Sequence, residues 1–344
     1  MIIETKEIQP VISFNEKHLS IKEIGDVSYL PVPTQTIETY CNTFVTRTNF
    51  LFVNGKYEKS GLLVGDNKDL SIFKQYYLYI KYKFFFKTKK YSGIFLWYYD
   101  VWSVNYYHWL CETLPRLFEL KTAYPECLVV LPISFKSQPF IIDSLRILNM
   151  DVLWIDSTKS HSYSKIVTVQ TRPAHGDVNP IMQGKLNSAI LKMCEIDLNK
   201  KPFRKVYLSR TNALYRKVLN EAEVIKIVVS LGYEVIRAET LSFMEQVQLF
   251  SETALLIAQH GAGITNMCFM QKHTKVLEIR NEGWNLQPLC FWRLANIQEM
   301  YWAYFIAQSI SIPSNISDMI IDISEFKEAV TEFSSQLNLT RKTL

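Results

Sequence analysis

Between Lys205 and Ile279 the hydrophobic period of the chain switches back and forth between that of a strand and that of a helix. Lys205–Leu208 is an apolar run of strand length, and Asn220–Leu231 repeats at helical spacing. Tyr233–Ile236 is strand-like again. A second helical stretch opens at Ser242, Ala254–Ala258 reads as a buried strand, and Lys275–Ile279 as another. Strands separated by helix-length connections cannot be hairpins. They predict an α/β fold whose parallel sheet is built through crossover helices. Capping chemistry sharpens the boundaries. Asn220 with Glu223 reads as a capping box, Leu219 with Val224 as a hydrophobic staple and Gly232 as a helix stop, and Ser242 with Glu245 repeats the box. In open parallel sheets ligands gather outside the carboxyl ends of the strands. Ser209-Arg210 and His260-Gly261-Ala262-Gly263 both fall at such ends.

The same alternation extends to either side. Ile94–Tyr99, Leu128–Leu131, Val152–Ile155 and Ile166–Val169 are predicted strands. Helices are predicted from Asn105 towards Leu120, over Gln138–Asn149, and from Asn179-Pro180 towards Asp197. Pro115 predicts a kink or restart, because proline cannot donate to the helical ladder. Asn54-Gly55 between β-rich flanks predicts a hairpin. Downstream, Trp284–Ala295 reads as a helix, Met300–Ala307 as a strand and Ser324–Gln336 as a terminal helix. The polar, basic stretch Asn199–Arg204, with Pro202, marks a domain connection. The expected division is an N-terminal domain over 1–200 with a β-rich portion, a second domain over 201–320, and a terminal helix in 321–344.

Composition narrows the class. The 344 residues, 48% of them apolar, suffice for two cores. A net charge of +5 gives no nucleic-acid footprint. The cysteines at 41, 111, 127, 194, 268 and 290 form no CxxC pair and no metal spacing, so free thiols in a reducing compartment are expected. Glu4, Lys6 and Glu7 interrupt the first ten residues, which do not resemble a signal peptide. No run approaches the ~18 apolar residues of a membrane span. A cytoplasmic location, at the inner face of a membrane, is the expectation. Lys74–Tyr91 interleaves six lysines with eight aromatics. It reads either as two strands with lysines to water and aromatics inward, or as a surface meeting a membrane or an anionic, lipid-linked molecule.

Glycine is scarce, 11 in all, so two within His260-Gly-Ala-Gly are informative. Glycine lets backbone amides approach a ligand, and a glycine turn opening a short Thr265–Met270 helix would aim amides at an anion. The bland alternative is a tight turn with a satisfied histidine. Arg210 and Arg216 would add cationic charge, unless they merely pair with Glu221 and Glu223. A P-loop and a G-x-S-x-G elbow are both absent, which disfavours a P-loop kinase and a serine hydrolase.

These residues resemble glycosyltransferase family 61, a group that includes capsular polysaccharide enzymes and eukaryotic xylosyl- and N-acetylglucosaminyltransferases. The resemblance rests on Ser209-Arg210, Arg216, Asn220-Glu221, Leu241-Ser242, Glu245-Gln246, His260-Gly261-Ala262-Gly263, Thr265-Asn266 and Glu278. Upstream it rests on Asn105-Tyr106-Tyr107-His108-Trp109, Glu112 and Leu114-Pro115-Arg116. It implies a GT-B architecture of two facing Rossmann-like domains, with the terminal helix crossing back to the first. It also implies inverting transfer from a nucleotide-sugar, uridine-linked in the family, to a glycan or lipid-linked glycan acceptor in cell-surface polysaccharide synthesis. Donor contacts would fall to Ser209, Arg210, Arg216, His260, Gly261, Ala262, Gly263, Thr265, Asn266 and Glu278, the last accepting from ribose hydroxyls. No Asp-x-Asp triplet occurs, and arginines with helix amides would replace a metal at the departing diphosphate, so no metal cofactor is expected.

Inverting transfer also needs a base for the acceptor hydroxyl. His108 and Glu112, one helical turn apart, are the candidates, with His108 preferred and a solvated helix face as the alternative. Asp100 and Asp177, the latter in His175-Gly176-Asp177, are weaker candidates. A non-catalytic nucleotide-sugar-binding or scaffold protein of the same fold is the rival reading.

Overall fold

The structure is a computed structural model. It describes residues 12–13, 36–46, 51–58, 71–170, 178–282, 289–310 and 316–335. The chain divides into two compact units, one formed by Val32–Met193, the other by Met1–Pro31 together with Cys194–Leu344. The first described strand, β1 (Ile12–Ser13), belongs to the second of these units.

The unit over Val32–Met193 holds a mixed sheet. Its strands are β2 (Thr36–Val45), β3 (Leu51–Val53), β4 (Lys56–Tyr57), β5 (Thr88–Leu96), β6 (Leu128–Pro132), β7 (Val152–Ile155) and β8 (Ser160–Gln170). Their spatial order is β4-β3-β2-β8-β5-β6-β7. The path β8-β5-β6-β7 is parallel, whereas β2, β3 and β4 run antiparallel at one side. Asn54 and Gly55 turn the β3–β4 hairpin with φ of 49° and 80°, the positive values that a two-residue primed turn demands.

Lys74–Tyr91 is not a pair of strands. Ile72–Phe84 forms helix α1, capped by Ser71, and only then does β5 begin. Leu78 and Tyr82 fall one turn apart and pack on Phe44 and Phe52, with Tyr79 beside them. That inward stripe at helical spacing settles the segment as a helix, against the β propensity of its tyrosines and phenylalanines.

The second candidate stretch also departs from a plain helix. Tyr106–His108 makes one turn, capped by the Asn105 side chain, which accepts from the Tyr107 N–H at 3.0 Å. Trp109–Thr113 is a π turn, and α2 (Leu114–Ala123) follows with Pro115 in its first turn. The predicted disruption at Pro115 therefore appears just upstream of it, as a widened turn in which the Leu114 N–H reaches back to the Trp109 carbonyl. Trp109, Leu110, Leu114, Leu117 and Leu120 are buried, and Trp109 Nε1 donates to Ser144 Oγ at 2.9 Å. Helices α3 (Pro139–Ile147) and α4 (Pro180–Met193) complete the unit. His175-Gly176-Asp177 lies outside the described residues.

In the other unit β9 (Arg204–Leu208), α5 (Glu221–Ser230), β10 (Glu234–Ile236), α6 (Phe243–Ser251), β11 (Thr253–Gln259), β12 (Lys275–Asn281), α7 (Cys290–Ile297) and β13 (Tyr301–Ser309) alternate as the periodicity predicts. Every pairing along β1-β13-β12-β11-β9-β10 is parallel, and β14 (Met319–Ile320) joins β13 antiparallel. The chain thus starts at β9, moves outward to β10, and returns across β9 to β11. The carboxyl ends of β9 and β11 lie side by side, with Leu208 level with Ala258. This reversal of strand order is where doubly wound sheets open a crevice.

Two local readings differ. Asn220 does not cap α5 with its side chain. Its amide accepts from the Ile321 N–H and donates to the Ile321 carbonyl, fastening the segment after β14. Leu219 is exposed, so no staple forms, whereas the Ser242–Glu245 box on α6 is complete. The terminal helix α8 (Ile323–Ser335) packs in the unit it follows. Its Phe326, Val330 and Phe333 join Val224, Val228, Ile257 and Phe305 in one core, where a crossing back to the first domain had been expected.

Candidate active site

At the end of β9 the chain enters Ser209-Arg210-Thr211, and one buried carboxylate holds Arg210, Thr211 and the preceding Tyr207. Glu221, the first residue of α5, accepts from Tyr207 Oη at 3.1 Å, the Arg210 N–H at 3.2 Å and Thr211 Oγ1 at 2.6 Å. Ser209 Oγ lies 2.9 Å from Thr211 Oγ1. Glu221 therefore takes the backbone of Arg210, and the guanidinium is aimed elsewhere.

It is aimed at Gly261. A Cβ built on Gly261 would stand 1.8 Å from Arg210 Nη1 and 2.8 Å from its Cζ. Only a residue without a side chain leaves the guanidinium this place. Arg210 Nε is buried with no hydrogen-bond partner. Burial pulls the Arg210 pKa down, partly offset by Glu239 and Glu221. Arg216 is close enough to feel the same charge. Burial first and Arg210 second bring its pKa down to about 10, against Cys290 and Glu278, which raise it. Its φ of 61° is uncommon for a non-glycine residue. Two desolvated, mutually repelling guanidinium groups at a strand-end crevice are an arrangement that an anion relieves.

His260 and Glu278 form the floor. His260 Nδ1 is 2.5 Å from Glu278 Oε1, and the imidazole meets Phe291 edge-on with centroids 5.1 Å apart. Burial lowers the His260 pKa more than Glu278 raises it, so the neutral ring is favoured. Glu278 is not at a strand end but within β12, fully buried. Arg280 Nη1 donates to its Oε1 at 3.2 Å and Trp302 Nε1 to its Oε2 at 2.9 Å. Burial would raise this carboxyl, but Arg280 and then His260 hold it below its usual range. Both of its oxygens have partners inside the protein, His260 and Arg280 on Oε1 and Trp302 on Oε2.

Beyond Gly261 the chain forms a 3-10 helix, Ala262–Phe269, which begins earlier than the predicted Thr265–Met270. Its first amides, of Ala262 and Gly263, lie at the helix start, where N–H groups have no intrahelical acceptor. Thr265 and Asn266 are fully buried. Asn266 Nδ2 donates to Gln246 Oε1 at 2.8 Å and to the Gly263 carbonyl at 3.2 Å. The Thr265 hydroxyl is buried without a hydrogen-bond partner.

In the other unit His108 Nδ1 is 2.9 Å from Glu112 Oε2. Glu112 is buried and the His108 side chain is 20% exposed, so the pair is not a solvated face. A carboxylate on Nδ1 favours the tautomer with its proton there and leaves Nε2 to accept. The widened turn is closed beneath by Arg116, whose Nη1 donates to the Glu112 carbonyl and whose guanidinium lies over Tyr98 at 4.9 Å. Trp102, half exposed, approaches the His108 ring with centroids 5.8 Å apart. Asp100 is occupied by a turn: its Oδ1 accepts from the Trp102 N–H at 2.8 Å and from Ser103 Oγ at 3.1 Å.

Sequence reasoning named Glu221 only as a motif residue and a possible ion-pair partner of the arginines, and gave no role to Trp102. The signal for Glu221 was an acid in the first turn of the helix after a Ser-Arg-Thr strand end. Replacing it tests its part in the loop. Glu221→Gln is expected to cost about 1–3 kcal/mol in urea unfolding, because an amide cannot accept from all three donors. An unchanged midpoint would show that the carboxylate does not hold the loop.

The protein is of the α/β class, with the Arg210 guanidinium set against Gly261 at the carboxyl ends of β9 and β11. The family model for glycosyltransferase 61 matches residues 106–277, half of the chain, and takes in His108, Glu112, Ser209 to Arg216 and His260 to Asn266, ending one residue before Glu278. The chain belongs to glycosyltransferase family 61. It is similar to an EGF domain-specific O-linked N-acetylglucosamine transferase of Drosophila melanogaster, 32% identical over 132 residues, which are 35% of this chain and 25% of that protein. It also matches the proteins of that name from Bos taurus and Canis lupus familiaris, each 26% identical over 106 residues, 29% of this chain and 20% of theirs. The match therefore spans a quarter or less of these relatives.

Proposed function

We propose that the protein transfers a sugar from a nucleoside diphosphate donor, uridine-linked as the family resemblance suggests, to a glycan acceptor, with inversion and without a metal. The observation that carries this is the seat of the Arg210 guanidinium on Gly261, with Arg216 beside it, between the carboxyl ends of β9 and β11. A diphosphate bound there would have its non-bridging oxygens against two arginines and the first amides of the 3-10 helix. His108 Nε2 takes the proton of the acceptor hydroxyl while Glu112 holds Nδ1–H. The hydroxyl oxygen attacks the anomeric carbon, the bond from that carbon to the phosphate oxygen breaks, and the electron pair leaves with the diphosphate. The arginines stabilise that developing charge in place of a cation. The reading includes the GT-B architecture of two facing Rossmann-like domains, and an acceptor in cell-surface polysaccharide such as capsule, lipid-linked during growth. The relatives are named for transfer of N-acetylglucosamine, which makes it the first donor sugar to try.

Uridine diphosphate should raise the melting temperature, because a ligand that binds only the folded state stabilises it. Donor turnover in the presence of a chelator should match that without it. Activity lost in chelator and restored by manganese or magnesium would refute the metal-free part of the proposal. No stabilisation by any nucleoside diphosphate would refute the donor site.

A further inference from the structure

Helix α1 has an apolar face on each side. Leu78, Tyr79 and Tyr82 face the core formed with Phe44 and Phe52. The opposite side carries Phe73, Tyr76, Tyr77, Ile80, Phe84 and Phe85, all exposed, with Phe73 at 89% and Phe85 at 78%. Phe73, Tyr77, Ile80 and Phe84 repeat at helical spacing, so they form one stripe. A soluble helix normally turns charge to water on its outer face. This one turns aromatics outward.

Charge says what covers the stripe. From Leu70 to Tyr99 the chain has no acidic residue and carries Lys74, Lys81, Lys83, Lys87, Lys89 and Lys90. Lys81 lies over the Tyr77 ring at 5.4 Å and Lys89 over Tyr91 at 5.2 Å, their stems laid along the aromatics. Long basic side chains beside outward aromatics suit an interface whose surface is anionic and whose interior is apolar. A second copy of the same face would set lysines against lysines. No helix among the described residues is long and apolar enough to cross a membrane, and α1, at 13 residues, suits lying along a surface.

We infer that α1 is a peripheral docking helix that lies in the headgroup region of an anionic bilayer, aromatics inward and lysines on the phosphates. This rests on α1 and the lysines that follow it, and is independent of the transfer reaction. The test is co-sedimentation of the full chain with vesicles of phosphatidylcholine, and with vesicles in which part of it is replaced by phosphatidylglycerol. The protein should bind the mixed vesicles, release with rising salt as the charges are screened, and leave pure phosphatidylcholine vesicles unbound. Phe73→Ser with Phe84→Ser should weaken partitioning roughly tenfold or more, given the apolar area withdrawn. Lys89→Glu with Lys90→Glu should weaken it at low salt. All four side chains are exposed, so urea midpoints should stay at wild type and binding is read on folded protein. Equal binding to both vesicle types, no binding to either, or wild-type binding by the double serine variant would overturn the inference. So would a concentration-dependent dimer that the same variant dissolves, because the stripe would then be a contact between copies.

Discussion

Arg210→Ala is expected to abolish stabilisation by uridine diphosphate while leaving the melting temperature of the free protein close to wild type. Arg210 Nε has no partner within the protein, and the guanidinium is held in place by shape, over Gly261. Removing it breaks few native bonds and relieves its repulsion of Arg216. Hydrogen bonds to a charged group contribute about 1.5–3 kcal/mol each, so loss of even one to a phosphate weakens binding roughly ten- to hundredfold. Gly261→Ala should do nearly the same by another route, since its methyl would occupy the position of Nη1. The arginine tip must move and the phosphate contact is lost, while the alanine also strains a backbone at φ 159°, so the melting temperature of this variant is read beside its affinity. The two changes should then be strongly non-additive. With Arg210 already truncated, adding Gly261→Ala should cost little further affinity. Calorimetric titration of the four proteins closes the cycle. Additive losses would mean that glycine and arginine serve the ligand separately, and collapse of the Arg210→Ala fold would make the arginine structural.

Why this crevice was legible beforehand, and parts of it were not, follows from the range of each interaction. Strand and helix alternation is local, so β9, α5, β10, α6, β11 and β12 fell close to their expected places. The Ser242–Glu245 box and the Asn54-Gly55 turn are complete within a few residues, and both formed. Asn220 failed as a side-chain cap because a tertiary partner, the backbone of Ile321, took its amide. Glu278 looked like a strand-end carboxylate because Arg280 and Asn281 after it are polar. In fact β12 continues through both, buried along its whole length, and the acid is compensated by His260, Arg280 and Trp302. Arg280, two residues along the same strand, was the local sign of that pairing, whereas His260 and Trp302 reach the acid from other strands and left none. The α1 segment was ambiguous for a different reason. Its apolar residues line two opposite faces, which erases the single stripe that normally marks a helix.

His108→Ala is expected to lower turnover by roughly 10²–10⁴-fold, the range for loss of a general base, and to leave affinity for uridine diphosphate almost unchanged. The separation is expected because His108 and Arg210 lie in different units of the chain. Glu112 is the harder case, because it is buried and bonded to Nδ1 at 2.9 Å. If it only fixes the tautomer, Glu112→Gln keeps an oxygen there to accept Nδ1–H and should cost less than His108→Ala. If Glu112 is itself the base, the amide cannot take a proton and the order reverses. Charge and shape are separated by Glu112→Ala, which removes both and should cost more than Glu112→Gln. Single-turnover transfer, beside titration of binding, reads each outcome. Near-normal turnover in both His108→Ala and Glu112→Gln would remove the pair from the chemistry. With Asp100 already engaged by its own turn, the search for the base would then pass to Asp177.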